Sequence, residues 1–402
     1  MKHLVEPFSP DAFRISRFPG RVVALRCPRR LAFDARRLLV VFLFSMCCLG
    51  HVDAQVWTDA EELNLYGKAT QETATRYARL PASFSEISRA PLWNLGQNST
   101  GLYVRFRTSS PTLWVRWKSA ASFVMNHMTA TGSRGVDLYV LDEGEWRFIA
   151  AGRPDTKAAV TERKIMSNMT TQMREYMLYL SLYDGVSELQ IGSEEGCPVM
   201  KEEVSSPRTE RPVVMYGTSI TQGGCVSRPG MLYTSIMSRA LDMEFINLGF
   251  SGNAFFDLEI ARLMASVENP AAYVIAATEN ASVQQFEERG EAFFRIIRDA
   301  HPEVPVIFVQ AVRYSYDILN QEDARIMEAK MEACKKLYDS LRKAGEKRIY
   351  FTDPAATKPF ADAESSVDGC HLTDLGAMRF AEVFLPVLKK ALRKSEKIVL
   401  RK

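Results

Sequence analysis

From residue 213 onward, short apolar runs alternate with stretches whose apolar residues recur at helical spacing. The runs fall at 213–216, 244–248, 272–277, 305–311 and 348–352. The helical stretches lie at about 230–241, 255–267, 283–299, 320–344 and 374–393. Strands this short and this uniformly apolar need cover on both faces, and a helix between two strands returns the chain to a parallel neighbour. The pattern therefore predicts an α/β region, a parallel sheet with helices on both sides. Ligands of such sheets bind beyond the C-terminal strand ends. Ser219, Gly252 and Asn280 follow those ends, and Asp368 and His371 come later in the same region.

The preceding half has a different period. GLYVRFRT (101–108) and TLWVRWKS (112–119) alternate apolar and polar residues, as do 135–142 with 145–152 and 175–183 with 186–193. Glu143-Gly144 and Asp184-Gly185 sit between the last two pairs, and Ser-Ser-Pro between the first. These are hairpin signals, and repeated hairpins predict a β-sandwich of jelly-roll type over 56–200. All five tryptophans (57, 93, 114, 117, 146) lie here. Trp114 and Trp146 are expected in the sandwich core, while exposed rings could stack on sugars. The polar stretch 201–212 reads as a linker, 213–395 as the α/β domain and 396–402 as a basic tail.

Residues 1–55 read as a leader. Arg36-Arg37 precede the uncharged, mostly apolar run 38–50, and Val52-Asp53-Ala54 resembles a cleavage site before Gln55. The run is shorter than the ~20 residues of a membrane span. An exported protein with no stable span after cleavage is expected: periplasmic, cell-surface or secreted. The net charge of +3 comes from this leader, since 56–402 carry 42 basic and 44 acidic residues. Nothing there gathers phosphates, so nucleic acid is excluded as a partner. Four cysteines remain outside the leader: Cys197, Cys225, Cys334 and Cys370. No C-x-x-C occurs, so there is no zinc signature. Disulfides or free thiols are both open for these four, and Cys225 with Cys370 is the one pairing expected.

Ser219 sits in MYGTSIT, where an apolar run turns toward a helix. A serine hydroxyl is a weak nucleophile and needs a neighbouring base. Three histidines lie outside the leader. His301 precedes Pro302 at a helix end, and His127 reads as a structural or surface residue of the β half. His371, in VDGCHLTDLG, has Asp368 three residues earlier, the orienter–base relation of a serine hydrolase. GTSIT is not Gly-x-Ser-x-Gly, which argues against an α/β-hydrolase elbow, and no Gly-Lys-Ser/Thr follows, so it is no P-loop. Acyl transfer also needs donors for an oxyanion. The amides of Ser219 and Gly252 and the Asn280 side chain fit that need, although a turn glycine and a helix cap explain the last two equally well. Arg228 either touches substrate or caps its loop.

MYGTSIT, NLGFSGN, ATENAS and DGCHLTDLG together resemble the four signature blocks of the SGNH, or GDSL-type, hydrolases, over about 213–390. RGVDLYVLDEG (134–144) resembles the Gly-x-Asp-Leu-Tyr β domain that precedes one branch of them. Thr218 stands where the Gly-Asp-Ser form has Asp, ATEN departs from a Gly-x-Asn-Asp pattern, and Leu372 replaces a proline. The resemblance implies a flavodoxin-like three-layer fold behind the β-sandwich. It implies a serine esterase with no cofactor and no metal, with Ser219, His371 and Asp368 as triad and Ser219, Gly252 and Asn280 as oxyanion hole. It further implies an acylated small molecule or polysaccharide as substrate, acetyl esters first. A non-catalytic glycan-binding protein and an O-acyltransferase on the same triad stay open as alternatives. The sequence leaves the oligomeric state undefined.

Overall fold

The computed structural model describes residues 55–121, 124–354 and 363–399, so the expected leader lies outside the described residues but for Gln55. In the N-terminal half the strands are β1 (Gln55–Asp59), β2 (Asn64–Tyr66), β3 (Tyr103–Thr108), β4 (Leu113–Ser119), β5 (Val136–Asp142), β6 (Glu145–Gly152), β7 (Val160–Met166), β8 (Arg174–Tyr179) and β9 (Val186–Glu194). They form two antiparallel sheets, ordered β1-β9-β4-β7 and β2-β3-β8-β5-β6. Leu113, Val115, Leu189 and Ile191 of the first share one core with Val104, Phe106, Leu138 and Leu178 of the second. Each such buried side chain contributes about 1.5–3 kcal/mol.

Only one of the three expected hairpins is a hairpin, β5–β6 around Glu143-Gly144. β3 and β4 lie in different sheets, and so do β8 and β9. The turns at 109–112 and 180–185 carry the chain across the sandwich. Asp184 explains the second crossing: its carboxylate is fully buried against Arg134 and accepts the Ala121 N–H at 2.9 Å. A solvated hairpin tip would not bury a charge. The tryptophans also differ from expectation. Trp117 fills the core, while Trp114 and Trp146 are half-buried outside it. Lys164 lies over the Trp114 ring, and Trp146 donates to the Ser206 hydroxyl at 3.0 Å.

The second half builds a parallel sheet from β10 (Arg208–Gly217), β11 (Met243–Gly249), β12 (Ala272–Ala276), β13 (Val306–Val309) and β14 (Ile349–Thr352), in the order β11-β10-β12-β13-β14. This is the flavodoxin-like order, with its switch point between β10 and β12. Strand period splits the sheet between two helix layers. Val213 and Met215 pack with Met237 of α2 (Tyr233–Leu241) and Phe384 of α6 (Asp374–Val399). Val214 and Tyr216 face Ile260 of α3 (Leu258–Ala265), Phe293 of α4 (Glu291–Ala300) and Leu337 of α5 (Gln321–Lys343). The four-residue α1 (Ser219–Gln222) follows β10 directly.

The stretch expected as a linker, 201–212, is not a free tether. β10 begins at Arg208, whose partner is Met243 on β11. Glu202 is buried against Arg105 of β3 at 3.1 Å. Polar residues of this stretch are thus tied to the sandwich at Glu202 and to the parallel sheet at Arg208. α6 likewise runs on to Val399, into the stretch read as tail. No helix among the described residues is long and apolar enough to cross a membrane.

Candidate active site

β10 delivers Ser219 to the switch point. Gly217 permits the turn, because a Cβ there would lie 2.1 Å from the Thr221 hydroxyl. Thr218 is extended and makes no side-chain cap, so the first N–H groups of α1 keep no partner from that residue. Ser219 is 7% exposed.

His371 comes from the loop before α6, which folds back on itself. Val367 N–H donates to His371 O at 2.8 Å, and Ser366 bridges Leu372. This loop is fastened to the one after Ser219. Cys225 N–H donates to Leu372 O at 3.1 Å, and Ser227 donates to Asp374 by its backbone at 2.8 Å and its hydroxyl at 2.5 Å. His371 Nε2 consequently lies 2.9 Å from Ser219 Oγ, and His371 Nδ1 lies 2.7 Å from Asp368 Oδ2. Asp368 Oδ1 accepts the N–H groups of Cys370 (3.0 Å) and His371 (2.8 Å). Partial burial works to raise the Asp368 carboxyl, but the His371 ring and these two N–H groups outweigh it and hold it at about 2. The three residues expected from the sequence are thus in hydrogen-bonded line.

The loop after β11 packs beside them. Phe250 N–H donates to Gly217 O at 2.8 Å and Ser251 N–H to Gln222 Oε1 at 2.8 Å. Gly252 is exposed and needs its glycine for a φ of +65°, a region costly to other residues. Asn280, just past β12, accepts the Ala254 N–H through Oδ1 at 3.2 Å. Its amide oxygen is therefore turned to the 250–254 loop. Glu279 beside it is half-buried, near the Thr218 hydroxyl at 3.5 Å and the Val312 N–H at 3.3 Å, and burial pushes its carboxyl up to about 7.

One expectation fails here. Cys225 and Cys370 are not paired; both are free thiols, as are Cys197 and Cys334. The Cys370 thiol turns to Tyr314, while Cys225 faces the histidines. His127, read as a structural or surface residue of the β half, has its ring centroid 5.8 Å from that of His371. No motif flagged it, since only the folded sandwich brings residues 124–134 over this rim.

Residues 210–389 match the model of the GDSL-like lipase/acylhydrolase family, and 55–199 match the GxDLY N-terminus of SGNH-hydrolase-type esterases. A crystal structure from Bacteroides ovatus ATCC 8483, named as a GDSL-like lipase, is 31% identical, covers 85% of this chain and 98% of its own, and superposes with a TM-score of 0.80. The chain belongs to the GDSL-like lipase/acylhydrolase family. It is an ester hydrolase. Two more distant structures share the fold. The salicylyl-acyltransferase SsfX3 of a tetracycline biosynthetic pathway is 17% identical over 85% of this chain and 98% of its own, with a TM-score of 0.67. The acetyl xylan esterase Est2A of the rumen bacterium Butyrivibrio proteoclasticus is 13% identical over 84% and 99%, with a TM-score of 0.51. No curated protein matches the chain.

In this GDSL-like esterase the Gly-x-Asp-Leu-Tyr stretch has a visible job. Asp137 is fully buried, and its Oδ2 accepts from Arg228 Nη1 at 2.9 Å and from Gly230 N–H at 2.8 Å. Arg228 also donates to the Tyr139 hydroxyl at 2.7 Å and lies 3.6 Å over the Phe148 ring. Arg228 thus clamps the loop after Ser219 to the sandwich. The sequence signal was a lone acid inside an apolar strand. Asp137→Asn leaves Arg228 without its counter-charge, and breaking a buried pair of this kind costs about 3 kcal/mol. Urea denaturation is expected to show that loss; an unchanged midpoint would mean the clamp is dispensable.

Proposed function

We propose that this esterase removes short acyl groups, acetyl first, from carbohydrates through a Ser219–His371–Asp368 triad. The observation that carries the reading is the unbroken chain of 2.7 Å and 2.9 Å contacts from carboxylate through imidazole to hydroxyl. His371 Nε2 takes the Ser219 proton as Oγ attacks the ester carbonyl, then returns it to the leaving alcohol. Asp368, ionised, fixes the ring so that Nε2 faces the serine and supports the imidazolium. Water activated by the same nitrogen cleaves the acyl-enzyme. The Ser219 and Gly252 N–H groups and the Asn280 amide hold the oxyanion. Asn280→Ala is expected to lower kcat about 10²–10³-fold with little change in KM, read from initial rates on 4-nitrophenyl acetate; a loss below tenfold would remove Asn280 from the hole.

The likeness to an acetyl xylan esterase supports a carbohydrate alcohol, and the likeness to an acyltransferase keeps a second acceptor in view. The leader supports export, and 56–200 and 213–395 serve as the sandwich and hydrolase domains. The test is acetate release from a panel of acetylated glycans, with and without an added sugar acceptor. No acetate from any member would overturn the substrate class, and acyl transfer to the acceptor would reassign the reaction.

A further inference from the structure

The rim of this site holds a donor set of which esterolysis uses only His371. One ring nitrogen each of His127 and His371 and the Cys225 sulfur all lie within 4.8 Å of one another. Each ring has its other nitrogen occupied. His127 Nδ1 is 2.9 Å from Asn126 Oδ1, and His371 Nδ1 is 2.7 Å from Asp368 Oδ2. Both rings therefore present Nε2, each backed by an oxygen acceptor, which is the outer-shell arrangement of metal-binding histidines. Ser219 Oγ, 2.9 Å from His371 Nε2, stands beside them as a fourth donor, an oxygen.

We propose that His127, Cys225 and His371 form a zinc site that switches the esterase off. Two imidazoles and a thiolate, with a hydroxyl or water in the fourth position, suit tetrahedral Zn²⁺ at about 2.0–2.1 Å to nitrogen and 2.3 Å to sulfur. Those lengths place donor atoms roughly 3.3–3.8 Å apart, so the set closes by about 1 Å on binding. His127, on a partly exposed loop, is the member able to turn inward. On binding, the Cys225 S–H bond breaks, the sulfur's electron pair goes to zinc and the proton leaves to solvent. Inhibition follows from one lone pair. The Nε2 pair that accepts the Ser219 proton is the pair that zinc takes, so a metal-bound chain cannot start the reaction. The inhibition arm rests on the proposed triad; the binding arm does not.

The test uses the full chain and Zn²⁺, with Co²⁺ as a spectroscopic probe. Calorimetry is expected to give one Zn²⁺ per chain in wild type, and turnover of 4-nitrophenyl acetate to fall with the same midpoint and return with EDTA. His127→Ala is expected to weaken binding at least ~10-fold, and Cys225→Ala to abolish the thiolate-to-cobalt absorption band. Equal affinity in wild type and His127→Ala, or a cobalt spectrum unchanged by Cys225→Ala, would overturn the site. His127 is a surface-loop residue, so its variant keeps the test decisive if Cys225→Ala fails to fold. Zinc bound with these signatures but without loss of turnover would uphold the metal site and overturn the triad.

Discussion

Ser219→Ala is expected to lower kcat/KM on 4-nitrophenyl acetate by about 10⁴- to 10⁶-fold while leaving the fold intact. The size follows from what the substitution removes. Without Oγ no acyl-enzyme forms, and His371 Nε2 loses its only proton donor in the triad. What remains is binding and the oxyanion donors, which still act on water. Each factor of ten is about 1.4 kcal/mol of barrier, so the change is worth at least about 5.5 kcal/mol. Folding is expected to be spared because the side chain's one hydrogen-bond partner among the described residues is that imidazole, and alanine fits the same buried turn. The contrast between lost turnover and kept stability is the diagnostic. Initial rates and a urea melt on the same preparation check it. A variant that hydrolyses the ester at the wild-type rate would leave Ser219 without a role.

The parallel sheet was legible because both of its faces are buried. A strand such as AYVIA (272–276) has to be apolar at every position, and no solvated element looks like that. The sandwich was legible as strands but not as pairings. A two-residue alternation says which side of a strand is wet and nothing about which sheet it joins, so 109–112 and 180–185 read as hairpins and are crossings. Trp117 against Trp114 shows the same limit, since either face of β4 carries a tryptophan and only assembly decides which is covered. In the site, Ser219, Asp368 and His371 were legible because each lies beside a strand end or on one tight loop. Asp137, Arg228 and His127 were not, because their meaning is a contact between the two halves. Asp137 and Arg228 are 91 residues apart in sequence and 2.9 Å apart in space. Cys225 and Cys370 misled for a related reason: the Cys225 N–H donates to Leu372 O, two residues past Cys370, yet the Cys370 thiol turns to Tyr314 and both stay free.

Asp368→Asn is expected to lower kcat by about 10⁴-fold with KM little changed, although the substitution alters no shape. The asparagine oxygen can still accept the two backbone N–H groups that Asp368 Oδ1 receives. Its amide then faces His371 Nδ1 as a donor. The ring answers by placing its proton on Nε2, the nitrogen 2.9 Å from Ser219, where a proton acceptor is needed. The triad is present and in the wrong tautomer. The double variant with Ser219→Ala is expected to be no slower than Ser219→Ala alone, because residues that act as one unit do not add. Acid adds a second signature. The folded carboxyl is held at about 2, below the ~3.9 of a free aspartate. A depressed carboxyl stabilises the fold above the unfolded value, and that contribution fades as pH falls from about 4 toward 2. The gap in unfolding midpoint between wild type and Asp368→Asn should therefore close over that interval. Near neutral pH it stays open, small because a third of the side chain meets solvent. Wild-type loss of activity between pH 7 and 4 cannot come from Asp368, which is ionised throughout. An Asp368→Asn enzyme within tenfold of wild type would show that the imidazole needs no carboxylate to orient it, and the proton path drawn from Ser219 would have to be redrawn.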